Sequence, residues 1–223
     1  MSGEPHLGPK GMSHVVQPTP PTGASASKRL ARLRAALPPA TDLVLVGDSL
    51  AAGWPAEMVA TAGRGQRTFN FGMPGDRIQN TLWRLAALPV DHLRPTGVLI
   101  LLGTNNLGDA DEPEAIAAGI QAVIARIRRL WGEPHCILVT IPRRGPAPGF
   151  REPDRLRVNA LLHHEATVCG ALDLIDADAV FAGTAEHRAV ATEPDLLHLS
   201  LEGYKRLTAA LGPVLDRVLS SSD

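Results

Sequence analysis

The sequence is poor in aromatic residues and carries almost no net charge. Aromatic residues make up only 4% of the 223 residues, and 22 basic side chains nearly balance 23 acidic ones, for a formal net charge of −1. Nucleic-acid-binding surfaces are built from clustered positive charge and from aromatic rings that stack on bases. We therefore expect no nucleic-acid partner and no strong attraction to an anionic membrane.

Cysteine and metal-binding patterns are equally scarce. The chain has two cysteines, Cys136 and Cys169, too few for a disulfide framework. Cys136 lies in an apolar run and Cys169 ends a predicted helix, so both are interpreted as small buried hydrophobic residues. The metal-binding spacings CxxC and HExxH do not occur. The sequence therefore predicts no metal site and no cofactor.

The amino-terminal region differs in composition from the rest of the chain. Residues 1–26 are rich in Pro, Gly, Ser and Thr, which is typical of a flexible tail, and residues 27–223 are expected to form a single domain. The tail lacks the continuous apolar stretch of a secretory signal. No run approaches the roughly 18–20 apolar residues that span a bilayer. These features predict a cytoplasmic location and no integral membrane segment.

Residues 27–37 have the pattern of a short amphipathic helix. Leu30, Leu33 and Leu37 recur at helical spacing, with basic residues between them. We interpret the basic side as the solvated face of a packing helix. A contact with a membrane or a nucleic acid is the alternative.

Short runs rich in Val, Leu and Ile alternate with helical patterns through the rest of the chain. The predicted strands are residues 42–48, 68–72, 97–103, 136–141 and 171–176. The predicted helices are residues 76–88, 112–131, 155–169 and 201–219. Strands separated by helices form right-handed βαβ units and a parallel sheet. We therefore predict an α/β fold, a three-layer α/β/α sandwich with a five-stranded parallel sheet of the flavodoxin-like kind.

Four short segments are expected to meet at one edge of this sheet. Ligand sites in open parallel sheets form outside the carboxyl ends of the strands. Residues 47–50, 72–76 and 103–106 follow predicted strands, and residues 195–198 precede the last helix. Each segment alone also fits an ordinary turn or helix start, so the prediction of a site depends on their convergence.

These segments contain the groups that acyl transfer requires. Ser49 lies on a strand-to-helix turn, where it needs a base within hydrogen-bond reach. His198 can act as that base while Asp195, three residues earlier, orients the imidazole. Gly75 can offer an unhindered backbone N–H, and Asn105 a side-chain amide, to a developing oxyanion.

Other titratable residues receive different interpretations. Asp48, directly before Ser49, is a rival candidate for the acid of the site, but we favour it as a residue that hydrogen-bonds the neighbouring loops. No Ser or Cys motif accompanies the remaining histidines in the body of the chain, so no catalytic role is predicted for His92, His135, His163, His164 and His187.

In this order, the four segments resemble the signature blocks of the SGNH (GDSL-type) hydrolase family: GDS, a loop glycine, GxN and DxxH. Within that family, the chain resembles the catalytic subunits of intracellular platelet-activating factor acetylhydrolase and their bacterial relatives. The stretches that carry this similarity are NFGMPGDRIQNTLWRL (70–85), GTNN (103–106), IPRRGPAPGFRE (141–152) and DLLHLSLEGY (195–204).

The resemblance implies a role for each matched residue. Ser49 would be the nucleophile, with His198 as general base and then general acid, and Asp195 would orient His198. The oxyanion hole would consist of the backbone N–H groups of Ser49 and Gly75 and the side chain of Asn105.

The resemblance also implies a substrate class. Leu50, Thr104 and Leu197 would line a pocket that admits a short acyl group, so the implied function is a serine esterase for acetyl esters of a small molecule. An acyltransferase that uses the same acyl-enzyme and a non-catalytic subunit on the same fold are the alternatives. Acetylhydrolase subunits pair, which implies a homodimer.

Overall fold

The fold is built around a parallel sheet that lies between two layers of helices. The computed structural model describes residues 12–63, 65–145, 150–169, 172–184 and 190–220. The strands are β1 (Leu43–Gly47), β2 (Thr68–Asn70), β3 (Gly97–Leu101), β4 (His135–Val139) and β5 (Leu172–Ile175). They form one five-stranded sheet in the order β2-β1-β3-β4-β5, and all neighbours are parallel. The predicted sheet is confirmed.

The helices fall into two groups by the face of the sheet that they cover. Against the first face pack α1 (Met12–Val16), α2 (Ala24–Ala35), α5 (Ile78–Ala87), α7 (Pro113–Trp131) and α8 (Glu152–Cys169). Against the second pack α3 (Ser49–Ala52), α4 (Ala56–Ala62), α9 (Ala177–Val180) and α10 (Leu201–Ser220). The loop after β3 forms a further short helix, α6 (Thr104–Gly108).

The central strands are buried on both sides, which explains their unbroken apolar sequences. Side chains alternate across a strand, so Val44 and Val46 of β1 enter one core while Leu43 and Leu45 enter the other. Strands β3 and β4 divide their side chains between the two cores in the same way. Cys136 belongs to the first core, where burial raises the pKa of its thiol to about 11. The side chain of Cys169 lies outside the described residues.

The strand order positions the site. The sheet continues in one direction from β1 to β2 and in the other from β1 to β3, so the order of connections reverses beside β1. A crevice opens at such a reversal, outside the carboxyl ends of the two central strands. Ser49 lies two residues after the end of β1 and Asn105 four residues after the end of β3, so both lie at this crevice.

The expectation of a flexible tail through residue 26 is wrong for its second half. Residues 12–16 form α1, and Val15 is fully buried against α7. The close approach of α1 to α7 depends on Gly119 of α7, since a Cβ at this position would lie 2.7 Å from the Val15 side chain. The backbone N–H of Thr19 then donates to the carbonyl oxygen of Gln79, and the carbonyl oxygen of Thr19 accepts a hydrogen bond from the side chain of Asn80. Residues 1–11 lie outside the described part of the chain.

The predicted amphipathic helix is confirmed as α2, although it begins three residues earlier than expected, at Ala24. Leu30, Leu33 and Leu37 pack against the first core, while the basic residues between them face outward. Among the helices of the described residues, none combines the length and the apolar character needed to cross a membrane.

Candidate active site

Ser49 is the first residue of α3 and is separated from β1 by Asp48 alone. Asp48 caps this short helix, because its Oδ1 accepts a hydrogen bond from the backbone N–H of Leu50 at 2.9 Å. From the last helix, the Tyr204 hydroxyl donates to the carbonyl oxygen of Leu50 at 2.9 Å. The turn that presents the half-buried Ser49 is therefore fixed from both sides.

His198 connects Ser49 to Asp195. Its Nε2 lies 2.9 Å from Ser49 Oγ, and its Nδ1 lies 2.5 Å from Asp195 Oδ2. The structure thus brings together the three side chains that the sequence predicted as nucleophile, base and orienting acid. With Nδ1–H donating to the carboxylate, Nε2 is free to accept the serine proton.

The Asp195 carboxylate is held in its charged form although it is half exposed. The hydrogen bond from His198 and the backbone N–H groups of His198 and Leu197 lower its pKa to about 2. The two backbone bonds both reach Oδ1, at 2.9 and 3.0 Å, so Oδ2 remains for the imidazole. One carboxylate therefore shapes the loop and orients the histidine.

Leu196, which follows Asp195 in the loop that leads to His198, has a strained backbone. Leu196 has a φ of 56°, a left-handed conformation that costs a leucine about 1–2 kcal/mol. Its carbonyl oxygen accepts a hydrogen bond of 2.7 Å from the backbone N–H of Gly145, and its own N–H donates to Glu193. Strain of this kind persists where surrounding contacts enforce it.

Gly75 occupies the turn after β2. The backbone N–H of Asp76 donates to Met73 at 3.1 Å, and Pro74 and Gly75 are the central residues of this turn. Gly75 has a φ of 85°, as the third residue of a type II turn requires. Met73 in turn donates to the carbonyl oxygen of Gly47 at 3.0 Å, which anchors the turn at the end of β1.

Asn105 is held against the same turn. Its Nδ2 donates to the backbone carbonyl oxygen of Asp76 at 2.8 Å. An amide nitrogen carries two hydrogens, so the second remains available to another acceptor. The amide of Asn105 and the peptide that follows Asp76 are thus fixed relative to each other.

A buried ion pair supports this turn from below. Arg84 of α5 and Asp76 are 0% and 1% exposed, and Arg84 Nε lies 2.7 Å from Asp76 Oδ2. Burial raises the pKa of Asp76 and lowers that of Arg84, and in each case the charge of the partner opposes the shift. Arg84 also donates to the carbonyl oxygen of Phe71 at 2.7 Å. The pair therefore connects α5 to the end of β2.

Asn106 has a structural role that sequence reasoning missed. Its Oδ1 accepts from the backbone N–H of Ile78 at 3.0 Å, and its Nδ2 donates to Gln79 at 3.1 Å and to Asp111 at 2.8 Å. These bonds join the loop after β3 to the start of α5. Its burial could not be read from the sequence, but its place next to Asn105 was a usable signal.

The structure corrects two of the three residues expected to line an acyl pocket. Leu50 and Thr104 are each only 2% exposed, and Leu50 packs within the second core. They fill the space behind Ser49 and Asn105 and offer an acyl chain almost no surface. Leu197 is half-buried beside His198.

The remaining titratable candidates are engaged elsewhere. Asp48 is fully buried, and burial raises the pKa of its carboxyl group to about 7, while Asp195 is the acid bonded to His198. Three histidines contact other partners, namely His92 with Pro38, His135 with Asp173 and His163 with Asp176. His164 lies exposed on α8, and His187 lies outside the described residues.

A serine hydroxyl, an imidazole and a carboxylate joined in this order on an α/β/α sandwich are the arrangement used by serine-nucleophile hydrolases. A family profile described as "GDSL-like Lipase/Acylhydrolase family" matches residues 45–206, and the chain belongs to that family. The matched region contains Ser49, Gly75, Asn105, Asp195 and His198.

Named relatives agree with this membership. Platelet-activating factor acetylhydrolase IB subunit alpha1 of Rattus norvegicus is 33% identical over 155 residues, which cover 68% of this chain and 64% of the relative. The chain thus matches slightly less than two thirds of that relative's length.

Solved structures share the fold. A lipase/acylhydrolase from Enterococcus faecalis superposes with a TM-score of 0.67 at 23% identity, covering 79% of this chain and 96% of that one. A GDSL-like lipase from Bacteroides thetaiotaomicron gives 0.70 at 19% identity, covering 85% and 97%. At these identities the likeness concerns the fold, which it confirms.

Proposed function

We propose that the protein is a serine esterase that hydrolyses acetyl and other short-chain esters through an acyl-enzyme on Ser49. The observation that carries the proposal is the hydrogen-bonded chain from Ser49 through His198 to Asp195, with contacts of 2.9 and 2.5 Å. Family membership supports the same reaction class.

The first half of the reaction acylates the enzyme. Ser49 Oγ attacks the ester carbonyl carbon while its proton moves to His198 Nε2. The carbonyl oxygen becomes an oxyanion, and the carboxylate of Asp195 stabilises the imidazolium. When the tetrahedral intermediate collapses, the bond to the alcohol oxygen breaks and His198 returns its proton to that oxygen. The alcohol leaves and the acyl group stays on Ser49.

The second half releases the acid. A water molecule gives a proton to His198 Nε2 as its oxygen attacks the acyl carbon, and a second oxyanion forms. The bond to Ser49 Oγ then breaks and His198 reprotonates the serine. The products are one alcohol and one carboxylic acid, and the enzyme is restored.

Three donors support the oxyanion. Within the described residues, no acceptor is assigned to the backbone N–H of Ser49 or of Gly75. Asn105 Nδ2 has a hydrogen left after its bond to Asp76. Fixed donors of this type stabilise charge without reorganising, and removal of one costs about 3–4 kcal/mol. We assign the oxyanion hole to these groups.

The preference for a short acyl group has two supports. Leu50, next to Ser49, and Thr104, next to Asn105, are already buried, so space for a long chain there would require rearrangement of buried side chains. The rat relative is named an acetylhydrolase. A steric limit discriminates by about 1–3 kcal/mol per methylene, so propionyl esters are the nearest competitors.

The test is a p-nitrophenyl ester series from acetyl to octanoyl, assayed with wild type, Ser49→Ala and Ser27→Ala. Ser27 is an exposed serine on α2 and serves as the matched control. We expect acetyl to be the best substrate, Ser49→Ala to lose at least about 1,000-fold in kcat and Ser27→Ala to match wild type. Undiminished hydrolysis by Ser49→Ala would refute the mechanism, and equal or faster turnover of octanoyl would refute the acyl preference.

The same assay addresses the acyltransferase alternative. A transferase would release p-nitrophenol slowly until an alcohol or amine acceptor is added. A hydrolase would release p-nitrophenol at the same rate with or without the acceptor. We also propose a cytoplasmic enzyme that forms a homodimer. A monomer mass in sedimentation at working concentration would exclude the dimer.

A further inference from the structure

A cavity of about 470 Å³ lies between the amino-terminal segment and the turn after β2. Its wall includes Thr19, Ser25, Arg29, Gly75, Arg77 and Asn80. Gly75 also belongs to the proposed oxyanion hole, so the cavity shares this wall residue with the proposed site. A volume of this size suits a small organic group.

The acidic groups of this wall are already neutralised. Asp76 is paired with Arg84, and Asp109 is bonded by Arg77. Arg29 is different, because it has no carboxylate partner in the part of the chain that the structure describes. The guanidinium of Arg29 is therefore a positive charge in the wall that no carboxylate of the described residues offsets.

The position of Arg29 is defined. Its Nη1 donates to the carbonyl oxygen of Pro74 at 2.8 Å, and a Cβ placed on Gly75 would lie 3.9 Å from the same atom. A guanidinium has five N–H donors in a planar fork, so most remain free for a ligand. Such a fork matches the oxygens of a carboxylate or a phosphate.

The helix that carries Arg29 strengthens the local field. Residues 24–35 contain four basic residues and no acidic one, in a chain whose net charge is −1. The leucines of α2 pack on the core, and of its four basic residues Arg29 lines the cavity. A concentrated positive field of this kind attracts anionic substrates.

We propose that this cavity binds the alcohol part of the ester and that Arg29 recognises an anionic group, a carboxylate or a phosphate, on that alcohol. The inference rests on the proposed esterase function and names the substrate class of the same site. Thr19, Ser25 and Asn80 supply polar contacts for the remainder of the alcohol part. Arg29 is then a specificity-determining residue that does not take part in bond breaking.

The test compares two nearly isosteric acetyl esters, 4-acetoxybenzoate and 4-acetoxybenzamide, which differ in charge. The measured quantity is the ratio of their kcat/KM values, anionic over neutral, in wild type, Arg29→Gln, Arg29→Lys and Arg34→Gln. Arg34 lies on the same helix outside the cavity wall and is the matched control for charge. The ratio is insensitive to any general damage to the Pro74 turn, because that lowers both rates.

We expect a wild-type ratio of about 5, the value of roughly 1 kcal/mol for a partly exposed ion pair. Arg29→Gln should bring the ratio to about 1, Arg29→Lys should retain most of it, and Arg34→Gln should keep it. An equal ratio in wild type and Arg29→Gln would overturn the proposal, as would an equal loss in Arg34→Gln.

Two further outcomes are informative. Failure of the wild type to hydrolyse the neutral ester would count against the esterase function itself, which separates that failure from failure of the cavity proposal. Sedimentation of the protein with vesicles of phosphatidylglycerol, together with an unchanged ratio in Arg29→Gln, would overturn the proposal in favour of a membrane-facing α2.

Discussion

The backbone N–H of Gly145 donates a hydrogen bond of 2.7 Å to the carbonyl oxygen of Leu196, which lies one residue after Asp195. Leu196 has a φ of 56°, and its side chain lies against Gly145, where a Cβ would be 2.4 Å from Leu196 Cβ. Gly145 therefore fits only because it has no side chain. It holds the loop that carries Asp195 and His198.

Gly145→Ala should displace this loop. The added methyl group cannot coexist with Leu196 at 2.4 Å, so the contact between His198 and Ser49 lengthens. Misplacement by about 1 Å can cost roughly 100-fold in rate, and we expect kcat for p-nitrophenyl acetate to fall by about 10- to 100-fold with little change in KM. Gly212→Ala is the control, since a Cβ there meets nothing within 4 Å. Unchanged kcat in Gly145→Ala would show that the loop does not need this contact.

Asp195→Asn should lower kcat by about 100- to 10,000-fold, because an amide cannot stabilise the His198 imidazolium. The pKa of Asp195 is about 2, so the wild-type carboxylate stays charged and its titration should not limit activity above about pH 3. Asp48→Asn is the comparison. It keeps the oxygen that caps α3, so activity should stay within about tenfold of wild type. A larger loss in Asp48→Asn than in Asp195→Asn would reverse the assignment of the acid.

The buried Asp48 should make stability depend on pH. Burial raises its folded pKa to about 7, above the unfolded value, so the folded state binds the extra proton between about pH 4 and 7. The contribution of Asp48 to the free energy of unfolding therefore falls as pH rises through this window and is lowest above pH 7. Each pKa unit corresponds to about 1.4 kcal/mol, which gives an upper limit of about 4 kcal/mol.

Urea unfolding of wild type and Asp48→Asn at pH 5 and pH 8 measures this effect. The variant has no carboxyl group at this position, so its stability relative to wild type should be higher at pH 8 than at pH 5. An equal difference at the two pH values would show that Asp48 does not titrate in this range.

The Arg84–Asp76 pair should be far more important for stability than a surface pair. Arg84→Met leaves the Asp76 carboxylate buried without its partner, and we expect the free energy of unfolding to fall by about 3–5 kcal/mol. Arg67, the surface partner of Asp42, is 63% exposed. Arg67→Met should therefore lower the free energy of unfolding by about 1 kcal/mol or less. Chemical denaturation measures both variants. Similar losses of unfolding free energy in Arg84→Met and Arg67→Met would contradict the view that burial makes the first pair more important.

Much of the fold was predictable because its signals are local. Strands buried on both faces have unbroken apolar runs, as in residues 97–101, and the βαβ alternation determines a parallel sheet. Ser49 and Asn105 were recognisable because each lies within four residues of the carboxyl end of such a strand. The short spacing between Asp195 and His198 allowed their contact to be predicted without knowledge of the fold.

The errors concern contacts between residues far apart in the sequence. Residues 12–16 have a polar, Pro-rich surrounding, and only the packing of Val15 against Gly119 shows why they are ordered. Leu50 was expected to face the substrate, but its position on α3 turns it into the core. The strain at Leu196 likewise depends on Gly145, which lies 51 residues earlier.

The most direct test of the account is labelling with a fluorophosphonate followed by peptide mass spectrometry. The reagent phosphonylates a serine only where a neighbouring base activates it. We predict one adduct, on the peptide that contains Ser49, with labelling abolished in Ser49→Ala and strongly slowed in His198→Ala. An adduct on another serine, or labelling of Ser49→Ala at the wild-type rate, would contradict the assignment of Ser49 as the nucleophile.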